Sequence, residues 1–368
     1  MKFTLTQTDL QSAIARVYNT VSGDGIKPIL SGILIEAEED RISLSSTDLK
    51  IGIETVIPAN VVSQGVTVVS GAKLHAIVRE LPSQEVTISL SEDNTIKIEC
   101  AKIFFSMLAM SAEEFPTIPT FQKDKEITLP QALLRDMIGK TSFAISREEP
   151  RHTLQGLYFD FVKKELKLVA TDGRKLALCK TQLEQEISVT SFILPEKAVL
   201  ELGKQLGGEG DVSISTSENQ VSFKFDGTLL TSRLIEGNFP NYDLVIPKNQ
   251  DKELLAQTTS VMSGLRRASV MTNPKHNVVR FTVMENMVIL NSTAPEAGGL
   301  REEMEVEYRG ESLELGLNPS FFMEILRHIT TDNVLLQIKD NVSPSIIRPH
   351  SENDDLLYVL MPIRLEKV

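Results

Sequence analysis

Tryptophan is missing from this 368-residue chain, cysteine occurs only twice, and aromatic residues make up 5% of it. Two cysteines, Cys100 and Cys179, cannot build a disulfide framework, so they read as buried free thiols of a reducing compartment. No apolar run approaches the roughly 20 residues that a membrane helix needs, so no membrane association is expected. The chain opens on the alternating strand pattern Met1-Lys2-Phe3-Thr4-Leu5, without the charged-then-apolar pattern of a secretory signal, and a cytoplasmic location is expected. His75, His152, His276, His328 and His350 show no metal-ligand spacing and pair with no cysteine, so neither a metal nor another cofactor is expected. Both the phosphate loop Gly-x-x-x-x-Gly-Lys-Ser/Thr and the nucleophile elbow Gly-x-Ser-x-Gly are missing, and Gly203, Gly207, Gly208 and Gly210 lead into a strand rather than a helix. Nothing assembles a nucleophile, a base and an orienting group, which points away from an enzyme. Positive charge is the scarce sign: 38 Lys and Arg against 50 Asp and Glu leave a net charge of −12.

What the chain does have is an internal repeat. Thr47-Asp48, Thr171-Asp172 and Thr293-Ala294 each close a strand, at separations of 124 and 122 residues. Fifteen residues before each marker stand Gly32, Gly156 and Val278, opening hairpins of one length; sixty-eight residues after stand Phe115-Pro116, Phe239-Pro240 and Met361-Pro362. Periods this long exceed those of solenoids, so each copy is a whole domain with its own core. The expected domains are 1–123, 124–250 and 251–368, with joints near Asp124-Lys125-Glu126 and Asp251-Lys252-Glu253.

Each copy reads as two helices and about eight short strands. The first helices carry Leu10, Ala13, Ile14 and Val17 after a cap at Thr8 or Asp9, then Leu133, Leu134, Met137 and Ile138 with Pro130 in the first turn, then Val261, Met262, Leu265 and Ala268 after Thr258 or Thr259. The second helices carry Leu74, Ile77, Val78 and Leu81; Ala198, Val199, Leu202 and Leu206; and Phe321, Phe322, Ile325, Leu326 and Ile329 behind Asn318-Pro319. A last strand is expected over Phe104–Met110, Leu229–Leu234 and Tyr358–Ile363, the third of which would enclose Met361-Pro362. Two helices are too few to cover both faces of a sheet, so the fold class is α+β, with helices on one face and antiparallel sheets outside.

Charge is not spread evenly. The six helical segments hold ten basic residues, among them Arg16, Lys204, Arg267 and Arg327, and six acidic ones, so the helices are net positive inside an acidic protein. A weakly positive face suits sequence-independent contact with phosphates. Thr171-Asp172-Gly173-Arg174-Lys175 admits a second reading, a phosphate-handling hydrolase using Asp172 and Lys175, but Thr47-Asp48-Leu49-Lys50 stands at the same place in the first copy. A position shared between copies is more simply a turn in which Asp caps backbone amides. The acidic pairs Glu38-Glu39, Glu148-Glu149 and Glu302-Glu303 read as solvated loop charges. A protein scaffold without DNA is a third reading.

Several strings, in order on a triplicated chain, carry a specific likeness: Met1-Lys2-Phe3-Thr4, Lys27-Pro28-Ile29-Leu30, Ala170 to Ala177, Gly237-Asn238-Phe239-Pro240-Asn241-Tyr242, and Tyr358 to Leu365. Over essentially its whole length the chain resembles the bacterial DNA polymerase III beta subunit family, the beta sliding clamps. The resemblance implies three tandem DNA-clamp domains in a head-to-tail dimeric ring, with helices lining the hole around duplex DNA. It implies a non-enzymatic processivity factor that tethers the replicative polymerase, and the clamp loader and repair proteins as further partners. By the same likeness, a pocket for short apolar peptides comprises Leu154, Thr171, Gly173, Lys175, Leu176, Pro240, Val245, Val359, Met361, Pro362, Ile363 and Arg364. DNA-facing positions would be Lys27, Arg79, Arg135, Lys140, Arg147, Arg151, His152, Lys197 and Arg266. Subunit contact would use Phe105 and Met107 against the partner's Val270 and Met271, with Lys73 for an ion pair. Two positions depart from the family pattern: Asp24 stands where an Arg is common, and Leu244 where the pocket rim has an Arg. The extra Glu366-Lys367-Val368 is expected to extend into solvent.

Overall fold

A computed structural model describes residues 1–22, 27–122, 126–148, 150–186, 189–272, 277–294, 297–352 and 355–365. Asp24, Asp124-Lys125, Glu149, His276 and Glu366-Lys367-Val368 lie outside the described residues. The chain forms two compact units, one of residues 1–135, 187–190 and 200–234, the other of 136–186, 191–199 and 235–368.

Among the described residues six α-helices form where the apolar spacing placed them: α1 (Gln7–Tyr18), α2 (Gly71–Glu80), α3 (Gln131–Thr141), α4 (Glu196–Gln205), α5 (Thr258–Val270) and α6 (Pro319–Leu326). In α1 the buried stripe is Leu10, Ala13, Ile14 and Val17, and this face packs against α2 through Leu74 and Val78. Fully burying each of these Leu, Ile and Val side chains contributes about 1.5–3 kcal/mol. The cap of α1 is Thr6 rather than Thr8 or Asp9, because the Thr6 hydroxyl accepts the Asp9 amide while donating to the Asp9 carboxylate. Pro130 ends a strand instead of opening α3, since it pairs with Asp211 while the Gln131 amide donates to the Gly210 carbonyl. Asn318 caps α6 as expected, accepting from Ser320 and Phe321, and Pro319 fits the first turn, where no amide hydrogen bond is lost. Arg327 falls just past α6, at its C-cap.

Among the described residues the first unit carries one antiparallel sheet of thirteen strands and the second carries sheets of nine and four. Within the first unit the last strand of the middle domain, Thr228–Arg233, pairs with Ile51–Pro58 of the first domain. Within the second, Leu356–Leu360 of the last domain pairs with Lys175–Gln182 of the middle one. So each joint is spanned by a shared sheet. The final strand stops at Leu360, which leaves Met361-Pro362 after it and not inside it: the Met361 amide turns to the Arg174 carbonyl and the Ile363 amide to that of Gly316.

The repeated Thr-Asp pairs build one turn twice. Asp48 Oδ1 accepts the amides of Lys50 and Ile51 at 2.9 and 2.7 Å, and Asp172 Oδ1 accepts those of Arg174 and Lys175 at 2.8 and 2.9 Å. Each preceding threonine hydroxyl donates to the carbonyl four residues on and accepts the amide two residues on. The third residue is left-handed in both turns, at φ 72° for Leu49 and 84° for Gly173. In the third domain alanine replaces the aspartate, and Met287–Ala294 pairs antiparallel with Gly298–Glu305. Glu302 and Glu303 therefore sit on a strand, where they pair with Arg267 and Arg301, correcting their assignment as loop charges. Glu38 closes a strand and pairs with Arg41, and Glu148 pairs with Arg174.

Replacing Asp48 or Asp172 by Ala withdraws one acceptor from two amides, and each variant should lose about 1–2 kcal/mol of stability in urea unfolding. A change of only a few tenths in either would show that water satisfies those amides as well.

Candidate peptide-binding groove

Side chains alternate across a strand, and register decides which predicted residues share a face. Thr171 pairs with Leu176, and Leu176 with Val359, so these three stand on one sheet face along with Val169 and Leu178. Val169, Leu176, Leu178, Tyr242 and Val359 form a buried cluster, with Tyr158, Phe239 and Ile246 packed against it. Tyr158 stacks on Phe239 at 4.8 Å between ring centroids. The segment from Phe239 to Ile246 is thereby laid over the sheet face, and it is pinned by the Tyr242 hydroxyl, which donates to Asp160 at 2.5 Å. Along this segment and the chain end, Val245 and Met361 are 45% and 37% exposed. Leu244, the departure from the family pattern, is 82% exposed. An apolar floor with exposed apolar edges can take large side chains of a peptide, while the turn after Thr171, with Arg174 exposed on it, supplies a polar margin.

The predicted pocket residues do not all meet. Thr171, Leu176 and Val359 share the face; Met361 is joined to the turn through the Arg174 carbonyl; Ile363 is held at Gly316, with Arg364 exposed beside it. Pro240 lies exposed and Pro362 half-buried in the two segments that edge the floor. Leu154 is buried in the short turn His152–Leu154, where its carbonyl accepts from Ser146. Lys175 projects from the opposite side of its strand to Leu176. Its ammonium lies 2.7 Å from Glu324 and 3.5 Å from Asp172, and 4.4 Å from the centre of the Phe321 ring. There it lines a separate cavity of about 370 Å³ with Phe143, Arg147, Arg327 and His328. Burial, with Arg327 adding to it, holds the His328 imidazole below its usual value.

Asp172 and Lys175 are thus turn and ion-pair residues. The Asp172 carboxylate is occupied by two amides and the lysine, leaving no free base beside a nucleophile. Among the described residues no group of three His, Cys, Asp or Glu could hold a metal, and no helix is long and apolar enough to cross a membrane. Cys100 and Cys179 are free and buried, and burial raises the Cys179 thiol to about 11.

Family models for the N-terminal, central and C-terminal domains of the DNA polymerase III beta subunit match residues 1–119, 128–241 and 243–364. The chain belongs to the DNA polymerase III beta subunit family. The Beta sliding clamp of Salmonella typhimurium strain LT2 is 32% identical over 99% of this chain and 100% of its own length. Two solved beta subunits bound to griselimycin, from Pseudomonas aeruginosa and Bartonella birtlesii, match at TM-scores of 0.95 and 0.94 with 28% and 31% identity; each comparison covers 99% of this chain and 100% of the other. A beta subunit of this family is a sliding clamp, a processivity factor for the polymerase and not an enzyme.

The other predicted beta-subunit positions can be placed one by one. Lys27, Arg79, Arg135, Arg147, Arg151, His152, Lys197 and Arg266 are exposed, and Lys140 is half-buried. Several carry local partners: Arg79 with Glu80, Lys140 with Asp136, Arg147 with Glu196. Arg151 lies over the groove's turn, donating to the Asp172 carbonyl. Of the subunit-contact residues, Phe105 and Val270 are 38% and 77% exposed while Met107 is buried; Lys73 is exposed and Met271 half-buried. Sequence reasoning missed Phe104 and Leu108, which are 68% and 80% exposed on the other face of the same strand. Their signal was present, because an Ile-Phe-Phe-Ser-Met-Leu run is apolar on both faces. It also missed Tyr158, Phe239 and Ile246 as floor residues, which only their packing against the buried cluster reveals.

Tyr242 is held far above the ordinary tyrosine value near 10, by burial first and then by Asp160. The folded chain keeps this proton while the unfolded chain releases it, so the stabilisation is complete below pH 10 and is lost as pH rises beyond it. Tyr242→Phe should cost about 1 kcal/mol at pH 7 and show a shallower fall in stability between pH 10 and 11 than the parent, measured by urea unfolding. Parallel curves would remove the assigned role of this hydroxyl.

Proposed function

We propose that two copies of this chain join head to tail into a ring that encircles duplex DNA without reading its sequence, and that the groove described above tethers the polymerase, the clamp loader and repair proteins by short apolar peptide motifs. The observation that carries the ring is a pair of unfilled strand edges. The last strand of the middle domain fills the edge of Ile51–Pro58, and the last strand of the third domain fills that of Lys175–Gln182. The equivalent strand in the third domain, Gly298–Glu305, pairs on one side only among the described residues. The last strand of the first domain, Ile103–Met110, pairs with Thr95–Cys100 and touches its other neighbour only through Ala109 and Met110. Among the described strands that correspond to those of the two joints, one donor edge and one acceptor edge remain, and an apolar free edge such as Ile103–Leu108 is a template for another chain. Joining them between two copies, with the partner's Val270 and Met271 beside Phe105 and Met107, repeats the internal joint twice more and closes a ring.

Within the ring the domains span 1–123, 124–250 and 251–368, and the exposed cations from Lys27 to Arg266 face the DNA. Their contacts are weak and salt-dependent, which suits sliding, since a closed ring stays on by topology. The cytoplasm is the compartment in which this reading places the protein. The groove reading rests on its apolar floor and exposed rim, and the griselimycin-bound relatives support a ligand pocket in this fold.

Light scattering on the purified chain should give the mass of a dimer, and Leu108→Asp should give a monomer; a parent monomer would remove the ring. Chain ended before Met361 should stay dimeric, remain on nicked circular DNA after loading and run off linear DNA, yet fail to capture an apolar partner peptide. Undiminished capture would put peptide binding elsewhere.

A further inference from the structure

The joint between the first and second domains carries a second copy of the groove's frame, furnished differently. The Arg233 amide donates to the Lys50 carbonyl at 2.9 Å, as the Met361 amide donates to the Arg174 carbonyl at 2.9 Å. With Gly52 paired to Thr231 as Leu176 is to Val359, the two joints correspond residue by residue. Gly52 stands for Leu176, Thr231 for Val359, Arg233 for Met361, Leu49 for Gly173, and Ile118 for Tyr242. Glycine at 52 is required by Ile118 and Thr231, whose side-chain atoms lie 3.3 and 2.9 Å from where its Cβ would be.

Lys50 stands for Arg174, a cation in both turns, so the exchange of Met361 for Arg233 adds the second cation and, with glycine and threonine on the floor, leaves a small cationic groove. A cavity of about 180 Å³ remains at this joint, and its lining includes Lys50 and Arg233 but no carboxylate. In a chain of net charge −12 that is a local reversal of sign. The cavity is smaller than the roughly 300–1,000 Å³ of small-molecule sites and has room for one or two side chains. At its mouth Leu49 is 42% exposed and holds a left-handed backbone, φ 72°, where the equivalent turn has glycine. An exposed leucine in a strained conformation gains nothing in the free chain, and strain of this kind gathers at binding sites.

We infer that this first-joint groove is a second docking site, one that takes a short acidic segment of a partner protein: an apolar side chain enters between Leu49 and Ile118, and flanking carboxylates meet Lys50 and Arg233. The site is distinct from the second-joint groove and does not depend on it. The apolar lip favours a peptide over a nucleic-acid backbone, which would use the two cations and leave Leu49 unused.

The test is fluorescence anisotropy with the full chain and a labelled ten-residue peptide of Gly and Ser carrying a central Asp-Leu-Asp-Glu. Lys50→Glu with Arg233→Glu should weaken binding at least ten-fold, Leu49→Gly should weaken it several-fold, and Met361→Asp in the second-joint groove should leave it unchanged. Leu49→Gly suits the turn's backbone, so it stands as a folded control if the charge reversals do not fold. The inference is overturned if the peptide fails to bind the parent chain, if Leu49→Gly binds as the parent does, if the charge reversals leave affinity unchanged, or if Met361→Asp alone abolishes binding. Full displacement by a single-stranded oligonucleotide of equal charge, with no effect of Leu49→Gly, would assign the two cations to phosphate instead.

Discussion

Aspartate-capped turns at Thr47-Asp48 and Thr171-Asp172 are the constraint on which the rest of this molecule depends. Each carboxylate gathers two amides and fixes where the next strand begins. Because side chains alternate with period two, a slip of one residue there would invert every side chain of the strand that follows. The strand so started at Ile51 or Lys175 then presents its far edge to a strand of the next domain. Register at the turn therefore becomes register at the joint, and each joint becomes continuous sheet.

The same turn separates two functions on adjacent residues. Leu176 faces the apolar floor, whereas Lys175 faces Glu324, Asp172 and Phe321 on the other side of the sheet. A buried ammonium with two carboxylate neighbours and an aromatic face is well compensated, which lets a cation sit 7% exposed without disturbing the groove behind it. Tyr242 plays the complementary part, holding the covering segment down through Asp160 while its ring packs into the floor.

The two joints show how duplication diversifies. An identical frame of backbone hydrogen bonds survives at both, while the side chains set on it changed from leucine, valine and methionine to glycine, threonine and arginine. The frame is backbone chemistry and tolerates this. The third copy lost the aspartate, and its strand edge is left open among the described residues, which is what distinguishes an internal joint from the proposed joint between chains.

The sequence by itself determined the repeat, the six helices with their buried stripes, the Asp turns, the free thiols and the family, because these rest on local spacing and on strings of adjacent residues. Leu10, Ala13, Ile14 and Val17 are buried as their helical spacing requires. The α1 cap at Thr6 and the strand end at Leu360 escaped it, since competing hydrogen-bond partners decide such boundaries. Only the tertiary structure decided that Lys175 turns away from Leu176, that Tyr158 and Phe239 build the floor, that Phe104 and Leu108 stand exposed on a free edge, and that the first joint holds a cationic copy of the groove. Apart from the alternation that separates Lys175 from Leu176 once their strand is placed, those facts depend on contacts between residues far apart in the chain, and contact across a sheet, unlike periodicity along it, leaves no mark in the order of neighbouring residues.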